Sequence, residues 1–201
     1  MADTSRKFPN ELDCPIDNFI IKYGSKMFPF YKTLNMNPNH LTTLSLVIGL
    51  LCIYAFKQQY FVISSILYFI SYCYDVLDGN YARKYNMVTK FGDLYDHIKD
   101  ISINILLLII FYKYMTFRHH TKLVIFCLAI TILLFITLNI HLGCQEIYVS
   151  NNNKKNISGF LSISKILCTK NIYNNLHILK YFGSGVFIIW ISFLILVNNF
   201  F

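Results

Sequence analysis

The fold and chemistry of this chain are decided by residues 75–100, which read DVLDGNYARKYNMVTKFGDLYDHIKD. This stretch holds five of the ten acidic residues in the chain. On helical flanks, Asp75 and Asp78 stand three residues apart and project from one helical face. Asp96 and Asp100 stand four apart and share the face of a second helix. The spacing therefore predicts two carboxylate pairs that converge on one another.

Converging carboxylates need cations, because four charges at about 4 to 6 Å repel each other by several kcal/mol even at an effective dielectric of about 20. An oxygen-only ligand set is typical of hard ions, so Mg²⁺ or Mn²⁺ is expected, and four carboxylates suffice for two ions. Gly79, Ala82 and Gly92 leave space where a ligand approaches. Arg83 can grip a phosphate with its forked guanidinium. Asp93 falls outside the pattern and is interpreted as a helix N-cap or first-turn acid.

The stretch follows the pattern Asp-x2-Asp-Gly-x2-Ala-Arg-x8-Gly-x3-Asp-x3-Asp and resembles the signature of the CDP-alcohol phosphotransferases, also called CDP-alcohol phosphatidyltransferases. Every fixed position is filled, and eight specified residues over 26 positions make the motif specific. A second, weaker likeness lies at residues 38–42. Their sequence, Pro-Asn-His-Leu-Thr, is similar to the Pro-Asn-x-x-Thr that opens the first membrane helix in many members.

The resemblance implies an enzyme of phospholipid synthesis that transfers a substituted phosphate group from a CDP-alcohol to an acceptor hydroxyl and releases CMP. It implies two divalent ions held by the motif carboxylates, which are Asp75, Asp78, Asp96 and Asp100. Asp100 would also be the catalytic general base. Arg83 would steady the phosphates, and Gly79, Ala82 and Gly92 would leave room for the nucleotide.

Two features of the stretch point to different donors. The Tyr-Asp-His run at 95–97 is similar to the phosphotransferases that use CDP-choline or CDP-ethanolamine and diacylglycerol. The Asn-x-x-Thr-x-Phe-Gly run at 86–92 and the short chain resemble enzymes that take CDP-diacylglycerol and a small polar alcohol, such as phosphatidylinositol or phosphatidylglycerophosphate synthases. The run at 86–92 and the short chain favour CDP-diacylglycerol as the donor. His97 fits an interfacial histidine as well as a substrate contact, and His119 and His120 are interpreted as solvated loop residues.

The composition is that of an integral membrane protein. The 201 residues are 55% hydrophobic and 17% aromatic, with a mean hydropathy of +0.47. The formal net charge of +8 is dispersed between apolar runs, which favours contact with anionic lipid headgroups over nucleic acid. The first 40 residues have no apolar run typical of a signal peptide. The six cysteines form no C-x-x-C pair, which argues against a disulfide framework or a zinc site.

The predicted fold is all-α: a polytopic membrane helix bundle of five to six transmembrane helices with an N-terminal interfacial amphipathic helix. Residues 1–37 form the predicted N-terminal tail and amphipathic helix, and 38–201 the membrane domain. Lysines between apolar residues at 16–30 predict the interfacial helix, with a soluble packed helix as the alternative. Spans are predicted at 41–56, 60–74, 98–112, 123–142 and 182–197, with 157–168 as a doubtful sixth. Loops are predicted at 79–91 and 151–156.

The distribution of Lys and Arg predicts the orientation. With the N-terminus inside, 14 of the 18 cationic residues fall in inside segments and four in outside segments. The positive-inside rule therefore predicts a multi-pass protein whose active site faces the cytoplasm. The glycosylation sequon at Asn156 would then lie on the wrong face and remain unused.

Two other classes of protein also place acids beside membrane helices. A divalent-cation transporter would hold its acids near mid-span, whereas these lie at span ends beside Gly and Arg. An inactive scaffold would keep the fold and lose a motif acid or Arg83, and none is lost. The expected partners are a CDP-linked alcohol, an acceptor alcohol and the lipid bilayer. A homodimer is a further expectation from the family.

Overall fold

The computed structural model describes residues 6, 8–115, 121–153, 168 and 171–198. These residues contain no β-strand, which confirms the all-α prediction. The helices are α1 (Pro15–Gly24), α2 (Phe28–Thr33), α3 (Pro38–Lys57), α4 (Phe61–Lys84), α5 (Lys90–Met115), α6 (Thr121–Asn153), α7 (Ile172–Leu179) and α8 (Ser184–Val197). Short 3₁₀ turns at Ser25–Met27 and Lys180–Phe182 join α1 to α2 and α7 to α8.

Four helical segments in the described part of the chain are long and apolar enough to cross a membrane. They are Pro38–Lys57, Phe61–Lys84, Val124–Ser150 and Ile172–Val197. They correspond to four of the five predicted spans, so the chain is a membrane protein. The remaining predicted span, 98–112, lies within α5, where Lys99, Asp100 and Lys113 interrupt the apolar run. The doubtful sixth span at 157–168 falls outside the described residues, apart from Cys168.

The main apolar core is shared by α3, α4, α5 and α8. Its buried members are Cys52, Phe56, Phe61, Tyr68, Ile103, Leu107 and Ile195. Small polar residues bring α3 and α4 together, because Ser45 Oγ donates to the Ser71 carbonyl and Ser71 Oγ donates to the Ser45 carbonyl, both at 2.8 Å. A Cβ on Gly49 would lie 3.0 Å from Ile103 Cδ1, so α5 also approaches α3 closely.

A tight turn connects α4 to α5 and sets the relation between the two halves of the motif. Asn86 adopts the left-handed backbone conformation with a φ of 55°. Its φ lies within the 52–65° range of the three described non-glycine residues that have a positive φ. The Met87 N–H donates to the Ala82 carbonyl at 2.7 Å and closes the end of α4. The Gly92 N–H donates to Thr89 Oγ1 at 3.0 Å and caps the start of α5. Local hydrogen bonds thus define both helix ends beside the acids.

The prediction of a loop over 79–91 is wrong in extent. Helix α4 continues through Gly79 to Lys84, and only residues 85–89 connect it to α5. A glycine inside a helix costs about 0.5 to 1 kcal/mol relative to alanine. Burial of Leu77 and Tyr81 in a second apolar cluster offsets this cost and extends the helix past the glycine.

The N-terminal segment forms α1 and α2, which confirms the helical part of the prediction for 16–30. Helix α1 packs against α4 and α8, and Ile20 and Phe28 are buried. Phe19, Tyr23 and Phe30 remain exposed, which leaves an apolar surface next to lysines. Its place in the membrane interface stays a prediction, as does the domain boundary at residue 37.

Helix α6 runs to Asn153, so the predicted loop at 151–156 is wrong for its first three residues, while 154–156 lie outside the described residues. The run of asparagines has low helix propensity, but it continues a long apolar helix.

Two cysteines are joined, contrary to the expectation of no disulfide. Cys144 of α6 is bonded to Cys168, with a Cα–Cα distance of 5.4 Å. The two positions are 24 residues apart, and their proximity depends on tertiary packing that cysteine spacing does not encode. Cys14 and Cys52 are free and buried, as expected for small apolar side chains.

Candidate active site

The two halves of the motif meet where the end of α4 lies beside the start of α5. Asp75 and Asp78 come from α4, and Asp96 comes from the first turns of α5. One carboxylate oxygen from each of these three residues lies within 4.8 Å of the other two. Three of the four predicted metal ligands are therefore within reach of a single ion.

Lys99, which the motif does not specify, contributes a cation to this group. Its side chain is only 2% exposed, and its ammonium forms an ion pair with Asp75. Lys99 Nζ also lies 3.1 Å from Asp96 Oδ1 and 2.9 Å from Asp100 Oδ1. It donates to Ser45 Oγ of α3 at 3.3 Å. Asp100, the fourth predicted ligand, thus joins the others through Lys99.

Helix α3 contributes a hydrogen bond to the same group. Thr42 Oγ1 donates to Asp78 Oδ2 at 2.6 Å, and both side chains are buried. Thr42 is the last residue of the Pro-Asn-x-x-Thr likeness at 38–42. The sequence therefore carried a signal for this contact, although Thr42 was not a predicted site residue. A hydroxyl that donates to a carboxylate fixes the orientation of that carboxylate.

The small residues of the motif make room inside the protein. A Cβ on Gly92 would lie 2.9 Å from Asn39 Oδ1, so the start of α5 touches α3 there. A Cβ on Gly79 would lie 3.3 Å from Arg83 Nη1, so the absent side chain leaves space for the guanidinium. Ala82 is buried. The nucleotide contacts of these four motif residues stay a prediction.

The donor set fits a hard divalent cation. Asp96 Oδ1 is buried, and among the described residues it makes no aligned hydrogen bond besides its ion pair with Lys99 Nζ at 3.1 Å. Burial, together with the neighbouring Asp100 carboxylate, raises the pKa of Asp96 to about 7. A buried carboxylate that shares one ammonium with its neighbours, next to two more carboxylates, still offers oxygens that Mg²⁺ or Mn²⁺ would bind.

A cavity of about 40 Å³ lies between α3, α4, α5 and α8, and its wall includes Asp75, Lys99 and Asp100. This volume accommodates a few water molecules but no nucleotide or lipid headgroup. The donor substrate would therefore have to approach the carboxylates from outside this cavity.

A second buried carboxyl lies nearby, on α1. Asp17 accepts hydrogen bonds from Tyr72 Oη at 2.6 Å and from Ser184 Oγ at 3.3 Å, which ties α1 to α4 and α8. Burial raises the pKa of Asp17 to about 7, and the nearby Asp13 adds to the increase. No motif marked Asp17, and an isolated acid in an amphipathic helix gives no sequence signal of this contact.

Three further predictions concern single residues near the motif. Asp93 lies in the first turn of α5 and is exposed, as predicted. His97 is exposed. His119 and His120 lie outside the described residues.

The comparisons with known proteins agree with the motif. Residues 35–197 match the family model described as CDP-alcohol phosphatidyltransferase. No curated protein and no solved structure matches the chain. Because the family model covers most of the sequence, both halves of the acidic motif and the helices around them fall inside the match. The chain belongs to the CDP-alcohol phosphatidyltransferase family, membrane transferases that move a substituted phosphate group from a CDP-alcohol to an acceptor alcohol.

Proposed function

We propose that the cluster of motif carboxylates at the α4–α5 junction is a metal-dependent active site. This site would transfer a phosphatidyl group from CDP-diacylglycerol to a small polar alcohol. The main support is the convergence of carboxylates from both motif halves, with oxygens of Asp75, Asp78 and Asp96 within 4.8 Å of one another. Separate helices carry the two pairs, so a ligand can lie between them. Asp100 adjoins this group and is the proposed catalytic base.

The proposed ligands for Mg²⁺ or Mn²⁺ are the four motif carboxylates, which are Asp75, Asp78, Asp96 and Asp100. A divalent cation bound there would neutralise the negative charge that develops on the leaving CMP. Thr42 would hold Asp78 in a fixed orientation through its 2.6 Å hydrogen bond. The motif residues around the acids, Gly79, Ala82, Arg83 and Gly92, are proposed to bind the CDP moiety and its phosphates.

In the proposed reaction, Asp100 accepts the proton of the acceptor hydroxyl as the acceptor oxygen forms a bond to phosphorus. The bond between that phosphorus and the oxygen shared with CMP breaks, and CMP leaves with the electron pair. The Asp100 side chain is partly open, at 47% exposed, so an acceptor can reach it. Arg83 would steady the phosphates through its guanidinium.

The donor is assigned from sequence pattern. The run at 86–92 and the chain length support CDP-diacylglycerol. The run at 95–97 supports CDP-choline or CDP-ethanolamine as the alternative donor, with diacylglycerol as acceptor. His97 is exposed at the same end of α5 and is available to either substrate.

The membrane arrangement is proposed from helix length and charge. Helix α5 has 26 residues, about 39 Å at 1.5 Å per residue, which is long enough to cross a bilayer beside α3, α4, α6 and the segment Ile172–Val197. The excess of Lys and Arg in segments on the side of the α4–α5 turn supports a cytoplasmic active site. A cytidine nucleotide would then reach it from the cytosol. The homodimer stays a prediction.

The test is release of CMP from labelled CDP-diacylglycerol and, separately, from CDP-choline and CDP-ethanolamine, with Mg²⁺ or Mn²⁺ and a pool of acceptor alcohols. Membranes would carry the wild type, Asp100→Asn or Asp93→Asn. Asp93 is a matched control because it lies on the same helix, outside the motif and exposed. We expect metal-dependent release that Asp100→Asn abolishes and Asp93→Asn preserves, and the active donor identifies the branch. No release from any donor by folded, inserted protein would favour a cation transporter or an inactive scaffold.

A further inference from the structure

We propose that the ammonium of Lys99 takes the place of one of the two divalent cations expected from four carboxylates, so that each chain binds a single divalent ion. The inference rests on the proposed metal-dependent function. It concerns a residue that the family motif does not specify, since Lys99 falls in the variable positions between Asp96 and Asp100.

The position of the ammonium supports this inference. Lys99 Nζ contacts carboxylates from both helices: Asp75 of α4, and Asp96 and Asp100 of α5. An ion that bridged the same three carboxylates would need oxygens at about 2.0 to 2.1 Å and would overlap with Nζ. The ammonium and a second ion therefore compete for one place.

The surroundings of Lys99 hold the ammonium in that place. Its side chain is 2% exposed, and Ser45 Oγ of α3 accepts a hydrogen bond from Nζ at 3.3 Å. A buried ammonium is costly unless it is paired, and here the carboxylates supply the pairing. The spacing on α5 adds to this, because Lys99 stands three residues after Asp96 and so shares its helical face.

The carboxylates of both motif halves suit one ion. One oxygen from each of Asp75, Asp78 and Asp96 lies within 4.8 Å of the other two, and Thr42 orients Asp78, which Lys99 does not pair with. Four carboxylates, one ammonium and one divalent ion carry a net charge of about −1, before any substrate binds. A single divalent ion therefore leaves the group close to neutral, and a second ion is not needed to balance it.

The experiment counts bound Mn²⁺ on the purified full chain in detergent, by equilibrium dialysis and by the electron paramagnetic resonance signal of Mn²⁺. Wild type, Lys99→Met, Lys99→Gln and Lys113→Met would be compared. Lys113 lies in the last turn of the same helix, is exposed and is remote from the acids, so it controls for the loss of one charge. We expect one Mn²⁺ per chain in the wild type and in Lys113→Met.

In the Lys99 variants we expect two Mn²⁺ per chain and a signal broadened by coupling between neighbouring ions. Lys99→Gln retains a hydrogen-bond donor and serves as the second variant if Lys99→Met does not fold. Two bound Mn²⁺ in the wild type would overturn this inference and leave the proposed function intact. No bound Mn²⁺ in folded wild type would overturn the metal-dependent function, and the inference with it. One Mn²⁺ in both folded Lys99 variants would also overturn the inference.

Discussion

Two buried acidic regions of this protein are built in different ways. At the α4–α5 junction, carboxylates of Asp75, Asp96 and Asp100 surround the ammonium of Lys99. On α1, Asp17 is held by two neutral hydroxyls, from Tyr72 and Ser184. The α4–α5 junction places several carboxylates around one cation. On α1, a single carboxyl accepts hydrogen bonds from neutral hydroxyls.

The difference shows how burial and hydrogen-bond partners distinguish an aspartate that connects helices from aspartates that can bind a metal ion. Neutral donors only partly offset the burial of Asp17, so its pKa is raised to about 7, and its hydrogen bonds connect α1 to α4 and α8. Carboxylates that share one ammonium and place oxygens of Asp75, Asp78 and Asp96 within 4.8 Å of one another remain suited to bind a divalent ion. We therefore assign chemistry to the first region and helix docking to the second.

The largest expected effect tests this assignment with one substitution in each region. Asp78→Asn should lower metal-dependent CMP release by at least about 100-fold, because it removes a proposed ligand from a buried site. Asp17→Asn should leave release within about threefold, since the amide retains the shape of the carboxyl. The measurement is the initial rate of CMP release at equal amounts of folded protein. Equal losses in both variants would remove the distinction between the regions.

The second expected effect is on stability and follows from the raised pKa of Asp17. An unfolded Asp17 releases its proton near pH 3.8, whereas the folded protein keeps it to about pH 7. Between these values the folded state holds the extra proton. The free energy of unfolding should therefore decrease as the pH rises, by up to about 1.4 kcal/mol for each pH unit.

Asp17→Asn should remove this contribution and be the more stable protein at pH 8, with the difference vanishing near pH 4. Thermal unfolding of both proteins in the same detergent across this pH range measures it. The difference between the two proteins isolates Asp17 from the other buried acids. Parallel pH profiles for wild type and Asp17→Asn would show that the Asp17 carboxyl is not held protonated by its surroundings.

A smaller expected effect tests the support of the acidic group by α3. Thr42→Val removes the hydroxyl that donates to Asp78 and keeps the side-chain volume, so Mn²⁺ affinity should fall by about 10-fold. Thr43→Val is the matched control, because its hydroxyl lies 3.1 Å from Tyr95 Oη instead. Titration of Mn²⁺ into each purified variant measures the affinity. An equal decrease in both variants would assign the effect to a general disturbance of α3.

The sequence predicted the parts of the molecule that depend on local pattern. Apolar runs located α3, α4, α6 and α8, and the spacing of the acids predicted two pairs on two helices. The predicted loop at 79–91 ends α4 too early, because tertiary burial of Tyr81 carries the helix onward.

The contacts that the sequence did not predict depend on the packing of distant segments. Lys99 lies in a variable position of the motif, and its contacts with Asp75 of α4 and Ser45 of α3 join it to residues 24 and 54 positions away. The contacts of Asp17 with Tyr72 and Ser184, and the bond between Cys144 and Cys168, likewise need the fold before they can be seen. Sequence spacing predicts which residues are neighbours on one helix, but it does not predict which residues meet across helices.

The most direct test of a metal-dependent active site measures bound metal and CMP release in the same sample. Purified wild type would be stripped of metal with a chelator, then titrated with Mn²⁺ while bound Mn²⁺ and CMP release from CDP-diacylglycerol are both measured. We expect no release from the stripped protein and a rate that rises in proportion to bound Mn²⁺. Undiminished CMP release from the metal-stripped protein would contradict a metal-dependent active site at the α4–α5 junction.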